Sequence, residues 1–432
     1  MRVFLSSSFS SSLIRNSTLI FILWIIFFPG FFSSDSFGAV EMAKTGEFTN
    51  SGTASWALYV RLFSFFGNSI ALLTLLGGLL LVFSTTTFAY EIFTKKISAY
   101  ASLLMSLTPL IWGMGLTLWH DILMTSGLLL VTSFMVKLHL KQKISTLDLI
   151  SKLILGSVLV SFRPNGLPVL IVFSIFFLIL LQRRIIFRFL SIAISVTTST
   201  TLIGSSVILG MSPINNYFAQ EWMRNDISCF AQSPQGVGFV EKNIPEIGDT
   251  QTWKSEQACG FLSQATITYE DKVQAQEFVP RAWLSLLRQD PVFVLKTHLK
   301  RNAYLVPIPF YGLPTPPFLH STIEFQNRGI EWAFPSIAEK ARAPIRLWNL
   351  FHSFMAWAGL WVTIAVMLLL ISKRRELLAP VVMALSLIVI LFVFAPIPDG
   401  RYALFVLITG QLALVGKLIE WALSGSNRRP TD

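Results

Sequence analysis

The stretch "LIFILWIIFFPGFFSSDSFGAV", residues 19–40, is an apolar run that ends in two serines and the first acidic residue of the chain, Asp35. No charged residue stands between Arg15 and Asp35. A membrane-crossing helix needs about 20 mostly apolar residues, and this run supplies them. It reads as a first membrane span whose far end presents an aspartate at the surface. Asp35 is then either a solvated residue after a helix C-terminus or a carboxylate held at the membrane for chemistry.

Composition extends the membrane reading to the whole chain. Of 432 residues, 53% are hydrophobic and 13% charged, with 37 phenylalanines. Mean hydropathy is +0.62. Soluble domains carry roughly 25% charged residues, so lipid must be the main solvent of this chain. Apolar runs fall at roughly 17–33, 67–90, 99–118, 121–138, 147–162, 165–182, 187–210, 348–372, 377–396 and 402–422. The expected fold is an all-α polytopic membrane protein of about ten transmembrane helices, with helices lying in the interface and one large extracytoplasmic segment. Three units follow: a transmembrane module over 1–210 with a catalytic first outer loop at 34–66, an outer segment of short helices and loops over 211–347, and C-terminal transmembrane helices over 348–432.

Orientation comes from lysine and arginine, which favour the cytoplasmic side. Lys95 and Lys96, Lys137 with Lys141 and Lys143, Arg183 with Arg184 and Arg188, Lys373 with Arg374 and Arg375, and Arg428 with Arg429 all fall on one side of a ten-span arrangement. Both termini are then cytoplasmic. The net charge of +11 is thereby a topology signal, not the footprint of nucleic acid. The first run also has the look of a secretory signal, with Arg2 and Arg15 before it and small residues after Pro29-Gly30. A cut near Ala39 would put Phe37 three residues upstream, too large for that position, so an uncleaved anchor is expected.

The outer face collects the polar features. "SWALYVRLFSFF", 55–66, reads as an interfacial helix with its apolar side in lipid. In "LWHDIL", 118–123, His120 and Asp121 sit between two spans with almost no loop, where a charge is costly without water or a partner. Asp121 is either an N-cap of the fourth span or a carboxylate aimed at the outer cavity. In "SFRPNGLPVL", 161–170, Arg163 opens a Pro-Asn-Gly turn before the sixth span. A guanidinium beside a helix N-terminus suits a phosphate, or it snorkels to headgroups. "PIPDGRY", 396–402, places Arg401 and Tyr402 at the entry of the last span, with Asp399 a local partner for Arg401.

The segment 290–312 begins with Asp290-Pro291, a helix-start signal, and carries Lys296, Lys300 and Arg301 in an apolar pattern. It reads as a surface helix whose basic face meets lipid phosphate, either a substrate's or that of anionic lipid in general. "PIPFYGLPTPP", 307–317, is a Pro-rich loop with Phe310 and Tyr311. The chain has two cysteines, Cys229 and Cys259. An outer location permits a disulfide between them, and equally two free thiols. No Cys/His cluster suggests zinc.

The order of these pieces resembles the bacterial GT-C superfamily of membrane glycosyltransferases, relatives of the protein O-mannosyltransferases and aminoarabinose transferases. The pieces are Asp35 after the first span, "AKTG" at 43–46, an interfacial helix, Asp121 after the third span, "RPNG" at 163–166 and "RY" at 401–402. Residues 17–185 carry most of the likeness. It implies an inverting glycosyltransferase, working on the extracytoplasmic face of a bacterial cytoplasmic membrane, with a polyprenyl-phosphate-linked sugar as donor. Asp35 would be the base and Asp121 a second acidic residue for acceptor positioning or metal. Arg163, Arg401 and Tyr402, with His120, Lys300 and Arg301, would bind substrate. The leaving phosphate would be met by arginine or a divalent metal. Many relatives carry an acidic pair in the first loop where Ser34 and Ser36 flank a lone Asp35, and a His-Pro where "TAS", 53–55, stands. The missing acid pair weakens the case for a metal. Two other classes remain open: an O-antigen polymerase or ligase, and a lipid-linked-sugar flippase, although no internal repeat supports the latter. The acceptor is not readable from the sequence.

Overall fold

A computed structural model describes residues 8–45, 53–65, 67–180, 185–210, 220–234, 236–243, 269–307, 331–372, 374–395 and 400–425. Among these the chain is helical, and its one strand-like feature is an isolated parallel bridge between Phe31 and Thr117. Among the described residues six helices are long and apolar enough to cross a membrane: Phe9–Ile26, Ile70–Ile92, His120–His139, Ile192–Leu209, Arg375–Phe394 and Gly400–Ser424. The chain is thus a multi-pass membrane protein. The expected count of ten depends on pieces that are shorter or bent.

Each departure has a local cause. The 99–118 run is a bent pair, Lys95–Ser106 and Pro109–Gly115, with 58° between its halves. Pro109 has no N–H to continue the first helix and disfavours helical backbone at Thr108, which is extended. The 147–162 run is Thr146–Asp148, a π turn over Leu149–Ile154, and Leu155–Val160. Its start is fixed by a capping box between Ser145 and Asp148. The 348–372 run divides into Ala343–Leu350, His352–Met355 and Ala358–Ser372.

The helix His120–His139 is the centre of the bundle. Its apolar window is 83% buried, against 22% for Phe9–Ile26 at the periphery. Ile14, Phe21, Ile22 and Ile25 of that outer helix face outward, as lipid-facing residues do. Its inward polar stripe is satisfied by neighbouring helices. Ser12 Oγ lies 2.8 Å from the Tyr90 hydroxyl, and Asn16 Nδ2 donates to Thr86 Oγ1 and Ser102 Oγ, each at 3.2 Å. Polar pairs of this kind hold helices together where apolar burial gives no preference over lipid.

The helices Glu221–Ala231, Gly236–Asn243, Tyr269–Gln289 and Pro291–Arg301 share a smaller core of Ile227, Phe230, Phe239, Val279, Ala282, Leu286 and Val294. His298 and Asn302 fasten this group to the helix Leu378–Phe394. Both donate to the Phe392 carbonyl, His298 through Nδ1 at 3.0 Å and Asn302 through Nδ2 at 3.1 Å.

Candidate active site

The site is built by three crossings of the chain. In the first, the segment after the outermost helix runs beside residues 116–119. Phe31 N–H donates to the Leu116 carbonyl at 2.9 Å, and Leu118 N–H returns to the Phe31 carbonyl at 3.0 Å. Ser36 Oγ donates to the Leu118 carbonyl at 2.8 Å, and the Trp119 indole N–H donates to Ser33 Oγ at 2.7 Å. Trp332 closes the other side, its indole donating to the Gly30 carbonyl at 3.3 Å. The residues around Asp35 are therefore not a loop. Asp35 lies in the first turn of a helix, Ser34–Thr45, where the helix dipole favours an acidic side chain.

The second crossing sets Asp121 against Arg163. Helix His120–His139 meets Leu155–Val160 through Gly127 and Gly156. A Cβ on Gly127 would stand 2.5 Å from the Gly156 carbonyl, so only glycine permits this approach. The chain then turns at Arg163 into the helix Gly166–Leu180. A Cβ on Gly166 would stand 2.0 Å from the Val160 carbonyl, which explains why the turn reads Pro-Asn-Gly. The third crossing brings in the tight turn Gly400–Ala403, which carries Arg401 and Tyr402.

These crossings join Asp35, His120, Asp121, Arg163, Arg401 and Tyr402. Arg163 is ion-paired with Asp121. Arg401 lies between the two acids, with Nη2 2.6 Å from Asp35 Oδ2 and Nε 4.0 Å from Asp121 Oδ2. The Arg163 guanidinium sits over the Tyr402 ring at 4.1 Å, and that of Arg401 over the Trp119 ring at 5.0 Å. His120 Nε2 is 3.8 Å from Asp121 Oδ2, and its ring meets the edge of Trp56. The exposures differ in a way that separates roles. The Asp121 side chain is 1% exposed and that of Arg401 9%, whereas 45% of Asp35 is open.

Several expectations are corrected here. Asp121 is not an N-cap: Trp119 holds that position, and Asp121 lies inside the helix with its charge met by arginine. Asp399 lies outside the described residues; Arg401 is ion-paired with Asp35. Arg301 does not line an open basic face. It is 2% exposed, and its Nη2 donates to Asp226 Oδ1 at 2.6 Å. His298 Nε2 and the Trp283 indole meet the other oxygen of Asp226, at 2.7 and 2.8 Å. Lys300 is exposed on the same helix. Cys229 is disulfide-bonded, and Cys259 lies outside the described residues, as does most of the Pro-rich loop.

The interfacial helix is Ala54–Phe63, capped by Thr53, whose hydroxyl also donates to the Ser161 carbonyl at 2.9 Å. Thr53 thus ties this helix to the turn that carries Arg163. Leu62, Phe63 and Phe65 are exposed at its end, while Tyr59 packs on Phe162, and burial pushes its phenol above the usual range. Among the described residues no group of three or more acidic, His or Cys side chains could hold a metal ion.

No known protein family matches the chain, and no curated protein does. Among solved structures it is similar to the oligosaccharyltransferase AglB of Archaeoglobus fulgidus, in complex with an inhibitory peptide and a dolichol-phosphate. That likeness has 12% identity and a TM-score of 0.46, over 98% of this chain and 52% of that one. The chain therefore spans about half the length of the archaeal enzyme. It is also similar to ArnT of Cupriavidus metallidurans, bound to undecaprenyl phosphate, at 13% identity and a TM-score of 0.36, over 96% of this chain and 79% of that one. Neither likeness assigns a role to a side chain of this protein.

Proposed function

We propose that the protein is an inverting glycosyltransferase that moves a sugar from a polyprenyl-phosphate donor to an envelope acceptor on the extracytoplasmic face of a bacterial cytoplasmic membrane. The observation that carries this reading is the contrast within the charged group. One carboxylate, Asp35, is open and held at a single oxygen, while its partners are buried around it. A general base needs a free oxygen at a fixed place, and Asp35 Oδ1 provides one. The acceptor hydroxyl would give its proton to Oδ1 as its oxygen attacks the anomeric carbon. The sugar–phosphate bond breaks on the opposite face, and the electron pair leaves on the phosphate oxygen.

Arg401 and Arg163 are the positive groups that would meet that oxygen, since a guanidinium offers two parallel N–H donors to phosphate. Asp121 holds both arginines in place from beneath. The residues favour arginine over metal as the phosphate's partner, because both aspartates are already engaged by guanidinium.

The test is mass spectrometry of glycans, lipids and proteins from the envelope of a deletion strain. A sugar missing from the deletion strain identifies donor and acceptor. Wild-type protein should restore it, and Asp35→Asn, expressed and folded, should lower it at least about 100-fold. Full restoration by Asp35→Asn would remove the base assignment. Transport of the lipid-linked sugar by the purified protein in vesicles, with no transfer product, would favour a flippase.

A further inference from the structure

The formal charges of the site cancel: Asp35 and Asp121 against Arg163 and Arg401. A phosphate entering this group finds no unmatched positive charge among these four side chains. Either the phosphate stays uncompensated in a partly buried place, which is costly, or one ion pair must open. The structure indicates which. Arg163 and Asp121 are both nearly closed to solvent and paired with each other, whereas Asp35 is 45% exposed and gains water if released. Arg401 is also built to change partner. Its Nη2 end faces Asp35 while its Nε faces Asp121, so one end can turn outward while the other stays near its buried acid.

Resting on the transferase reading above, we propose that Arg401 changes ion-pair partner during turnover, from Asp35 at rest to the leaving phosphate as the sugar departs. The charge balance favours this. Before transfer, Asp35 carries one negative charge and the donor phosphodiester another. The acceptor oxygen–carbon bond forms, the carbon–phosphate oxygen bond breaks, and the acceptor's proton goes to Asp35. Asp35 is then neutral, and the phosphate has become a monoester with a charge of about −2. The sum is unchanged, but all of it has moved to the phosphate. Arg401 loses its reason to face Asp35 at the moment the phosphate gains one. In the resting enzyme the same pair acts against phosphate binding, because the phosphate competes with Asp35 for Arg401.

The competition is measured without any transfer reaction. A polyprenyl phosphate, the product alone, is titrated onto the purified full-length chain in nanodiscs, with no sugar and no acceptor. Asp35→Asn should bind it about tenfold tighter than wild type, equivalent to about 1.4 kcal/mol. Asp35→Glu, which keeps the charge, should bind it like wild type. In an Arg401→Gln background, Asp35→Asn should produce no gain, since the competition has gone; that double variant removes both members of the pair. Inorganic phosphate giving the same ratio at weaker affinity would support recognition of the headgroup. No gain in Asp35→Asn overturns the exchange, as does an equal gain in the Arg401→Gln background or a gain shared by phosphatidylglycerol. Restoration of the envelope sugar and this binding ratio are separate readouts, so failure of the transferase reading is distinguishable from failure of the exchange.

Discussion

The buried centre of the site makes the firmest energetic prediction. Asp121 has 0% exposure, and it meets Arg163 directly and Arg401 at 4.0 Å. Asp121→Asn keeps the shape and removes the charge. Removing one member of a buried pair costs about 3–5 kcal/mol, because the other is left uncompensated. Two contacts soften this here. Arg401 retains Asp35, and Arg163 retains the face of Tyr402 at 4.1 Å, a desolvated cation–π contact worth about 1–2 kcal/mol. The expected loss is therefore about 2–4 kcal/mol. Arg163→Gln alone should cost a similar amount, since Asp121 then keeps only the more distant Arg401. The double variant removes both charges and should lie within about 1–2 kcal/mol of wild type. The assay is equilibrium unfolding in mixed micelles, followed by tryptophan fluorescence, for all four proteins. The double variant should be more stable than the sum of the singles by at least about 2 kcal/mol. Additivity within about 0.5 kcal/mol, or an Asp121→Asn protein as stable as wild type, would refute a buried ion pair at the centre of the site.

Two further predictions test the crossings that build the site. Gly166→Ala places a Cβ 2.0 Å from the Val160 carbonyl and should destabilise by at least about 2 kcal/mol, whereas Gly204→Ala, with nothing within 4 Å, should stabilise by about 0.5–1 kcal/mol; the same unfolding assay reads both. Trp119→Phe keeps a ring beneath Arg401 but loses the N–H to Ser33, which should cost about 1 kcal/mol in stability and lower the proposed transfer about tenfold as Asp35 loses its fixed position; unchanged transfer would show that this bond does not position the proposed base.

How much of this was legible in the sequence differs by scale. The helices were, because hydropathy over about 20 residues integrates many weak preferences. Their interruptions were less so. Pro109 marks one break openly, but the division of 348–372 depends on packing that no single residue announces. The site residues were visible as charges at span ends, where a charge is expensive enough to need a reason. Their pairings were not. Arg401 has an acid two residues away in the sequence, Asp399, whereas Asp35, with which it pairs in the fold, is more than 360 residues away. Trp119 was inside the quoted "LWHDIL", yet a tryptophan at a span end is ordinary in membranes, so nothing marked it as the donor to Ser33.

Arg301 shows the limit most sharply. Helical periodicity places it with Lys300 in a basic stretch, and both read as surface charge. Whether an arginine on such a helix faces lipid phosphate or a buried acid depends on a carboxylate 75 residues earlier, Asp226, which sits in a segment without a motif. Sequence reasoning weighs a charge by its neighbours in the chain, whereas its cost in the fold is set by its neighbours in space. The same asymmetry applies to Asp35. Its openness, not its position after the first span, distinguishes it from Asp121 and Asp226, two buried aspartates of this chain that are held by arginine. Asp226 shares its second oxygen with His298 and Trp283, and Asp121 is enclosed between two arginines. Asp35 has one oxygen held and its surface half open, which is the condition for accepting a proton from a molecule that arrives from outside.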